Sequence, residues 1–137
     1  MTKSEIPIIQ SIDHFVLTVA DLETTLAFYE RVLNFTRAIT PNRPAALKFG
    51  SQKINVHQAD HTFEPKPWRP TPGSADVCLV VDRPLAEIRQ HIEHQGVAIE
   101  AGPIERNGAR GPMLSIYFRD PDGNLVEVSK YRAEGAL

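Results

Sequence analysis

The order strand, helix, strand, strand, strand is written twice along these 137 residues, and the two copies keep step. The stretch "IDHFVLTV", residues 12–19, alternates, with Phe15, Leu17 and Val19 on one side and His14, Val16 and Thr18 on the other. That is the period of a strand covered on one face. Asp21 then stands as an N-cap for "LETTLAFYERVL", whose Leu22, Leu26, Tyr29 and Leu33 fall on one helical face, and Asn34 suits the left-handed position after it. "FTRAI" reads as a second strand, and "AALKFG" and "QKINVHQ" as a hairpin turning at Gly50-Ser51. After a stretch rich in proline the pattern restarts: "ADVCLVV" as a strand, Asp82 as cap for "RPLAEIRQHIEHQ", Gly96 after that helix and "VAIE" as a strand. "AGPIERNGARGP" reads as a long loop. "MLSIYFR" and "NLVEVSKY" then form a hairpin about Asp120-Pro121-Asp122-Gly123, a type I turn with a glycine bulge.

His14 to Asp76 spans 62 positions, as does Asn34 to Gly96, so first strand and helix stand in register between the copies. A repeat sets architecture before any detail does. We therefore expect one α+β domain over residues 1–137. One module lies at about 10–58, a proline-rich linker at about 59–74, with Phe63 and Trp68 packing down to order it, and a second module at about 75–131. "MTKSEIPIIQ" is a lead-in and "RAEGAL" a frayed tail.

The remaining composition narrows the function classes. A formal net charge of −2 gives no bulk attraction to nucleic acid or to an anionic membrane. The single cysteine, Cys78, permits no intrachain disulfide and suits a reducing cytoplasm. No apolar run approaches a membrane span. There is no phosphate-binding glycine loop, Cys-x-x-Cys pair or nucleophile elbow.

Polar side chains interrupt the apolar strands at matching places. The first strands carry His14 and Asp76; the last strands carry His57 and, between Val126 and Val128, Glu127. A carboxylate there needs either a wet face or a cationic partner. Histidine and carboxylate together suit a divalent transition metal, whether zinc, nickel, iron, manganese or cobalt. His61, His91 and His94 read as non-catalytic, Cys78 as a wall residue, and Asp120 to Asn124 as turn chemistry.

"IDHFVLTVADLETTLAFYERVLNF" resembles the opening module of the vicinal oxygen chelate superfamily, and "YFRDPDGNLVEVS" its closing hairpin. "KINVHQ", "FEPKP", "PGSADVCLV" and "GARGPMLSIYFRDPDGN" are similar to small glyoxalase-domain proteins of the domain-containing protein 5 type and to bacterial relatives labelled virulence proteins. The resemblance implies two βαβββ modules about a pseudo-twofold axis, curling as a mixed sheet round a cleft. It implies a divalent metal held by His14, His57 and Glu127, with Glu127 or Asp76 moving a proton. It further implies a glyoxalase-like lyase or isomerase acting on a small oxygenated substrate, and a homodimer. Arg106, Arg110, Tyr117, Arg119 and Trp68 are the expected substrate contacts, the arginines for an anionic group. His57 stands on the strand where glyoxalase I offers glutamate, and Asp76 where it offers histidine, which argues against glutathione-dependent glyoxalase I itself. His14, His57 and Glu127 would also serve an iron dioxygenase. A third reading is a ligand-sequestering protein of the bleomycin-resistance type, with Phe63 and Trp68 stacking on a flat ligand.

Overall fold

The computed structural model describes residues 8–132; the lead-in before Ile8 and the tail beyond Arg132 lie outside them. Strand β1 (His14–Val19) is followed by helix α1 (Leu22–Leu33), β2 (Thr36–Ala38), β3 (Ala45–Phe49) and β4 (Gln52–Gln58). The second copy runs β5 (Asp76–Val80), α2 (Leu85–His94), β6 (Ala101–Gly108), β7 (Gly111–Arg119) and β8 (Leu125–Tyr131). The strands pair as two four-stranded sheets in the orders β1-β4-β3-β2 and β5-β8-β7-β6. In each, the first and last strands are parallel across the helical crossover, and the other pairs are antiparallel. This is the expected α+β pair of βαβββ modules. No helix among the described residues is long and apolar enough to cross a membrane.

Local chemistry sets the first helix. Asp21 accepts from the Thr24 backbone N–H at 2.9 Å and from the Thr24 hydroxyl at 2.6 Å, bonds that also hold its carboxyl below the usual range. Asn34 closes the helix at φ 57°, with its N–H returned to the Tyr29 carbonyl. The second helix differs from expectation. It is capped at Pro84 with no side-chain bond, so Asp82 does not cap it. Pro84 stands just outside the helix, at ψ 130°, and its carbonyl accepts from the Glu87 and Ile88 backbone N–H groups at 3.0 and 3.4 Å.

The second departure concerns the stretch after Gly96. Residues 97–100 are not a strand, and the expected long loop contains β6. β6 is the outer strand of its sheet, with a register shift between Ala101 and Ile104. Gly102 and Pro103 sit in that shift, where an edge strand tolerates a missing donor. Gly102 has φ +104°, and a Cβ on it would lie 2.4 Å from the Ser115 carbonyl oxygen, so glycine is required.

One core serves both modules. Leu17, Val19, Ile54 and Val56 of the first sheet join Val126, Val128, Ile116 and Phe118 of the second beneath Leu26, Tyr29 and Ile92 of the helices. Phe28 of α1 meets Phe118 of β7 at 6.3 Å between ring centroids, and the Tyr29 hydroxyl donates to Asp120 at 2.8 Å. Each sheet thus buries one face under helix and leaves the other for the polar row.

Candidate functional site

Hydrogen-bond register identifies the equivalent positions of the two modules. His14 lies opposite Lys53 and Val16 opposite Asn55 in the first sheet. Asp76 lies opposite Leu125 and Cys78 opposite Glu127 in the second. With His14 matched to Asp76, the counterpart of Glu127 is Asn55, and His57 corresponds to Ser129. The expected pairing of His57 with Glu127 is therefore two residues out. The central positions of the repeat are His14 and Asn55 in one module, Asp76 and Glu127 in the other.

His57 is set apart from His14 as well as mismatched. It lies opposite Thr18, four positions along from His14, which is roughly 13 Å of strand. Its ring packs on Phe63 at 5.1 Å, it is 5% exposed, and burial holds its imidazole below the ordinary value. Among the described residues His14, His57 and Glu127 do not form a group that could hold one metal ion. His57 reads instead as a neutral wall residue under the linker. The consequence for stability has a definite sign. As pH falls from about 7 to 5.5, the unfolded chain protonates this histidine before the folded chain does, so stability falls. Carboxylates held below their ordinary values, such as Glu23 and Glu100, act at lower pH. We expect the unfolding temperature of the wild type to decline across that window, with a shallower decline in His57→Gln.

His14 has the environment of a ligand. Its Nδ1 lies 2.8 Å from the Asp13 carboxylate and its side chain is 40% exposed. A proton on Nδ1 given to Asp13 leaves the Nε2 lone pair outward, the usual arrangement of a metal-binding histidine. On the same face, the Asn55 side-chain oxygen is buried and accepts no hydrogen bond among the described residues. An unpartnered buried carbonyl oxygen costs about 1–3 kcal/mol and calls for a partner from outside the chain. Sequence reading missed Asn55.

In the second sheet, Glu127 is half-buried and accepts from the Ser129 hydroxyl at 3.1 Å. Tyr117 lies directly opposite Glu127, and its hydroxyl accepts from Arg106 Nε at 2.7 Å. Arg106 lies on β6, so it belongs to a strand and not to a loop gate; it has no carboxylate partner among the described residues. Arg119 does not fit its expected role: its guanidinium grips both oxygens of Glu100 at 3.0 and 2.9 Å. Arg110 lies over the Tyr131 ring at 4.4 Å, four positions along β8 from Glu127. Trp68 does not pack down: it is 93% exposed. Cys78 is opposite Glu127, and burial pushes its thiol up, away from reactivity.

Among the described residues the four central positions do not line one cleft: His14 and Asp76 do, Asn55 and Glu127 do not. Among the described residues no three histidine, cysteine, aspartate or glutamate side chains could hold a metal ion together. His14 and Asp76 border one cleft of about 470 Å³ between the β1 and β5 edges, with Lys53 and Cys78, but Glu127 is not part of its lining. A cup closed within the chain would also bury Val16 and Val80, which are 36% and 56% exposed.

A profile described as the Glyoxalase/Bleomycin resistance protein/Dioxygenase superfamily matches residues 11–128. Virulence protein STM3117 of Salmonella typhimurium is 52% identical over 124 residues, 90% of this chain and 86% of that protein. Its crystal structure superposes with a TM-score of 0.89, covering 92% of this chain and all of the other. Glyoxalase domain-containing protein RDO1 of Mycosarcoma maydis is 45% identical over 124 residues, 90% of this chain and 70% of that protein. Glutathione transferase FosA of Serratia marcescens is 27% identical over 120 residues, 88% of this chain and 80% of that protein.

Proposed function

The chain belongs to the glyoxalase/bleomycin resistance protein/dioxygenase superfamily, and from that premise we propose that it is a dimeric, metal-dependent glyoxalase-like enzyme of lyase or isomerase type. His14 and Asn55 of one subunit would face Asp76 and Glu127 of the other. The observation that carries this reading is the pair of open half-sites: equivalent polar residues on two sheets, neither row complete in itself.

The donors fit the group. One imidazole nitrogen, two carboxylates and the unpartnered Asn55 oxygen make a mixed nitrogen and oxygen set suited to zinc, iron, manganese, nickel or cobalt. When bound, such an ion supplies Lewis-acid polarisation of a carbonyl or hydroxyl pair. The chain's own residues do the rest. Asp76 is exposed and accepts no hydrogen bond among the described residues; Asp76 or Glu127, when displaced from the ion by substrate, would be the carboxylate that takes a proton. The Tyr117 hydroxyl already accepts from Arg106 and so turns its own proton outward beside Glu127. With the unpaired Arg106 guanidinium it makes a seat for an anionic group on a small oxygenated substrate. An iron dioxygenase reading rests on two histidines and a carboxylate, whereas the proposed set, with Asn55 in place of His57, has one histidine.

Elemental analysis of protein purified without a metal-affinity tag, before and after reconstitution, tests the proposal. About one ion per chain in a particle of dimeric size is expected. A dimer that takes up none of the five metals would overturn it in favour of ligand sequestration.

A further inference from the structure

Beneath Glu127 lie two serines at a depth where a strand normally carries alanine or valine. Ser115 and Ser129 face each other across β7 and β8, both 0% exposed. Buried hydroxyls are costly unless each is used. Here the Ser115 and Ser129 Oγ atoms are 2.6 Å apart, Ser129 Oγ is 3.1 Å from Glu127 Oε2, and the Cys78 sulfur is 3.2 Å from Ser129 Oγ.

Counting protons gives these contacts a direction. An ionised carboxylate only accepts, so the single Ser129 proton goes to Glu127. Ser129 then has two lone pairs, and Ser115 and Cys78 each have one proton to give. The hydroxyl at 129 is fully satisfied, with one bond donated and two received. The first module has no such arrangement: His57 replaces Ser129, and the Asn55 oxygen that replaces Glu127 receives nothing.

We propose that Ser129 is a positioning residue for Glu127. With Oε2 held from below and the donor itself fixed by Ser115, the carboxylate is kept in one rotamer, and Oε1 is left as the oxygen available to the site. This rests on the metal-binding reading above, because it assigns Ser129 a role in ligand geometry.

Cobalt(II) titration of the apo protein, followed by its visible absorption, tests it. Ser129→Ala should bind cobalt about 10–100-fold more weakly and show an altered band shape, since a freed carboxylate changes its coordination. Ser129→Thr, which keeps the hydroxyl, should recover wild-type affinity to within about threefold. The double variant Ser115→Ala/Ser129→Ala removes both partners of the Ser115–Ser129 bond, so neither serine is left unpaired, and it should be less destabilised than Ser129→Ala alone. It should unfold closer to the wild type than Ser129→Ala does, and still bind as weakly as Ser129→Ala. Wild-type affinity and spectrum in both alanine variants would overturn the positioning role and leave the metal site standing. A wild type that takes up no cobalt would overturn the metal site itself, and this inference with it.

Discussion

An equimolar mixture of His14→Ala and Glu127→Ala chains, unfolded and refolded together, should take up about a quarter of the wild-type metal, while each variant alone takes up almost none. The number follows from symmetry. Random reassociation makes about half of the dimers mixed. In a mixed dimer one site receives the intact His14 of one subunit and the intact Glu127 of the other, and the second site receives both alanines. A site completed within one chain would respond differently, because every chain in the mixture carries a broken set and refolding repairs none. Metal content at equal dimer concentration, with the two variants tagged so that the mixed species can be isolated, separates these outcomes. The isolated mixed dimer should hold about one ion where the wild type holds two. A mixed dimer that stays empty, with both variants folded, would overturn the shared site and leave His14 and Glu127 either in one site closed within a chain or in different sites.

The same experiment depends on a distinction that sequence periodicity does not make. Alternation puts Lys53, Asn55 and His57 on one face of β4 and cannot choose among them; only hydrogen-bond register does. Histidine is the more familiar ligand, so it draws the assignment, whereas an asparagine in a strand carries no signal until its oxygen is seen to be buried and unpartnered. The clear elements were those whose patterns agree at every level. Helix α1 has its cap, stripe and left-handed terminus in the sequence, and β4, β7 and β8 alternate cleanly between turn residues. β6 was hidden because Gly102 and Pro103 are read as breakers, and an edge strand with a register shift is the one place that accepts both. His14, Asp76 and Glu127 were legible as polar residues on apolar strands. That His14 and Asp76 share a cleft which Glu127 does not line was not, since it depends on how the two sheets share a core.

Asp120→Ala should destabilise the fold by about 3–5 kcal/mol, with a fall of about 10–15 °C in unfolding temperature. In sequence Asp120 is only the first residue of a turn. In the structure it is 6% exposed and its carboxylate accepts four hydrogen bonds. Oδ1 receives the backbone N–H groups of Asp122 at 3.0 Å and Asn124 at 2.9 Å; Oδ2 receives the Tyr29 hydroxyl and the Asn124 side-chain amide, both at 2.8 Å. The network continues outward. Asn124 accepts from the Ala75 N–H at the start of β5, and Asp122 from the Ala20 N–H at the end of β1. One turn therefore ties α1 and β1 of the first module to β5 and β8 of the second. Alanine would leave a buried tyrosine hydroxyl, a buried amide and two backbone donors without their acceptor, and desolvation of unpaired groups is the larger part of the cost. Tyr29→Phe removes one donor and leaves the carboxylate its other three bonds, so about 1–2 kcal/mol is expected. Urea unfolding of the two variants at one pH measures the difference. A loss in Asp120→Ala no larger than in Tyr29→Phe would show that the bond from Tyr29, and not the three bonds within the turn, is all that Asp120 provides.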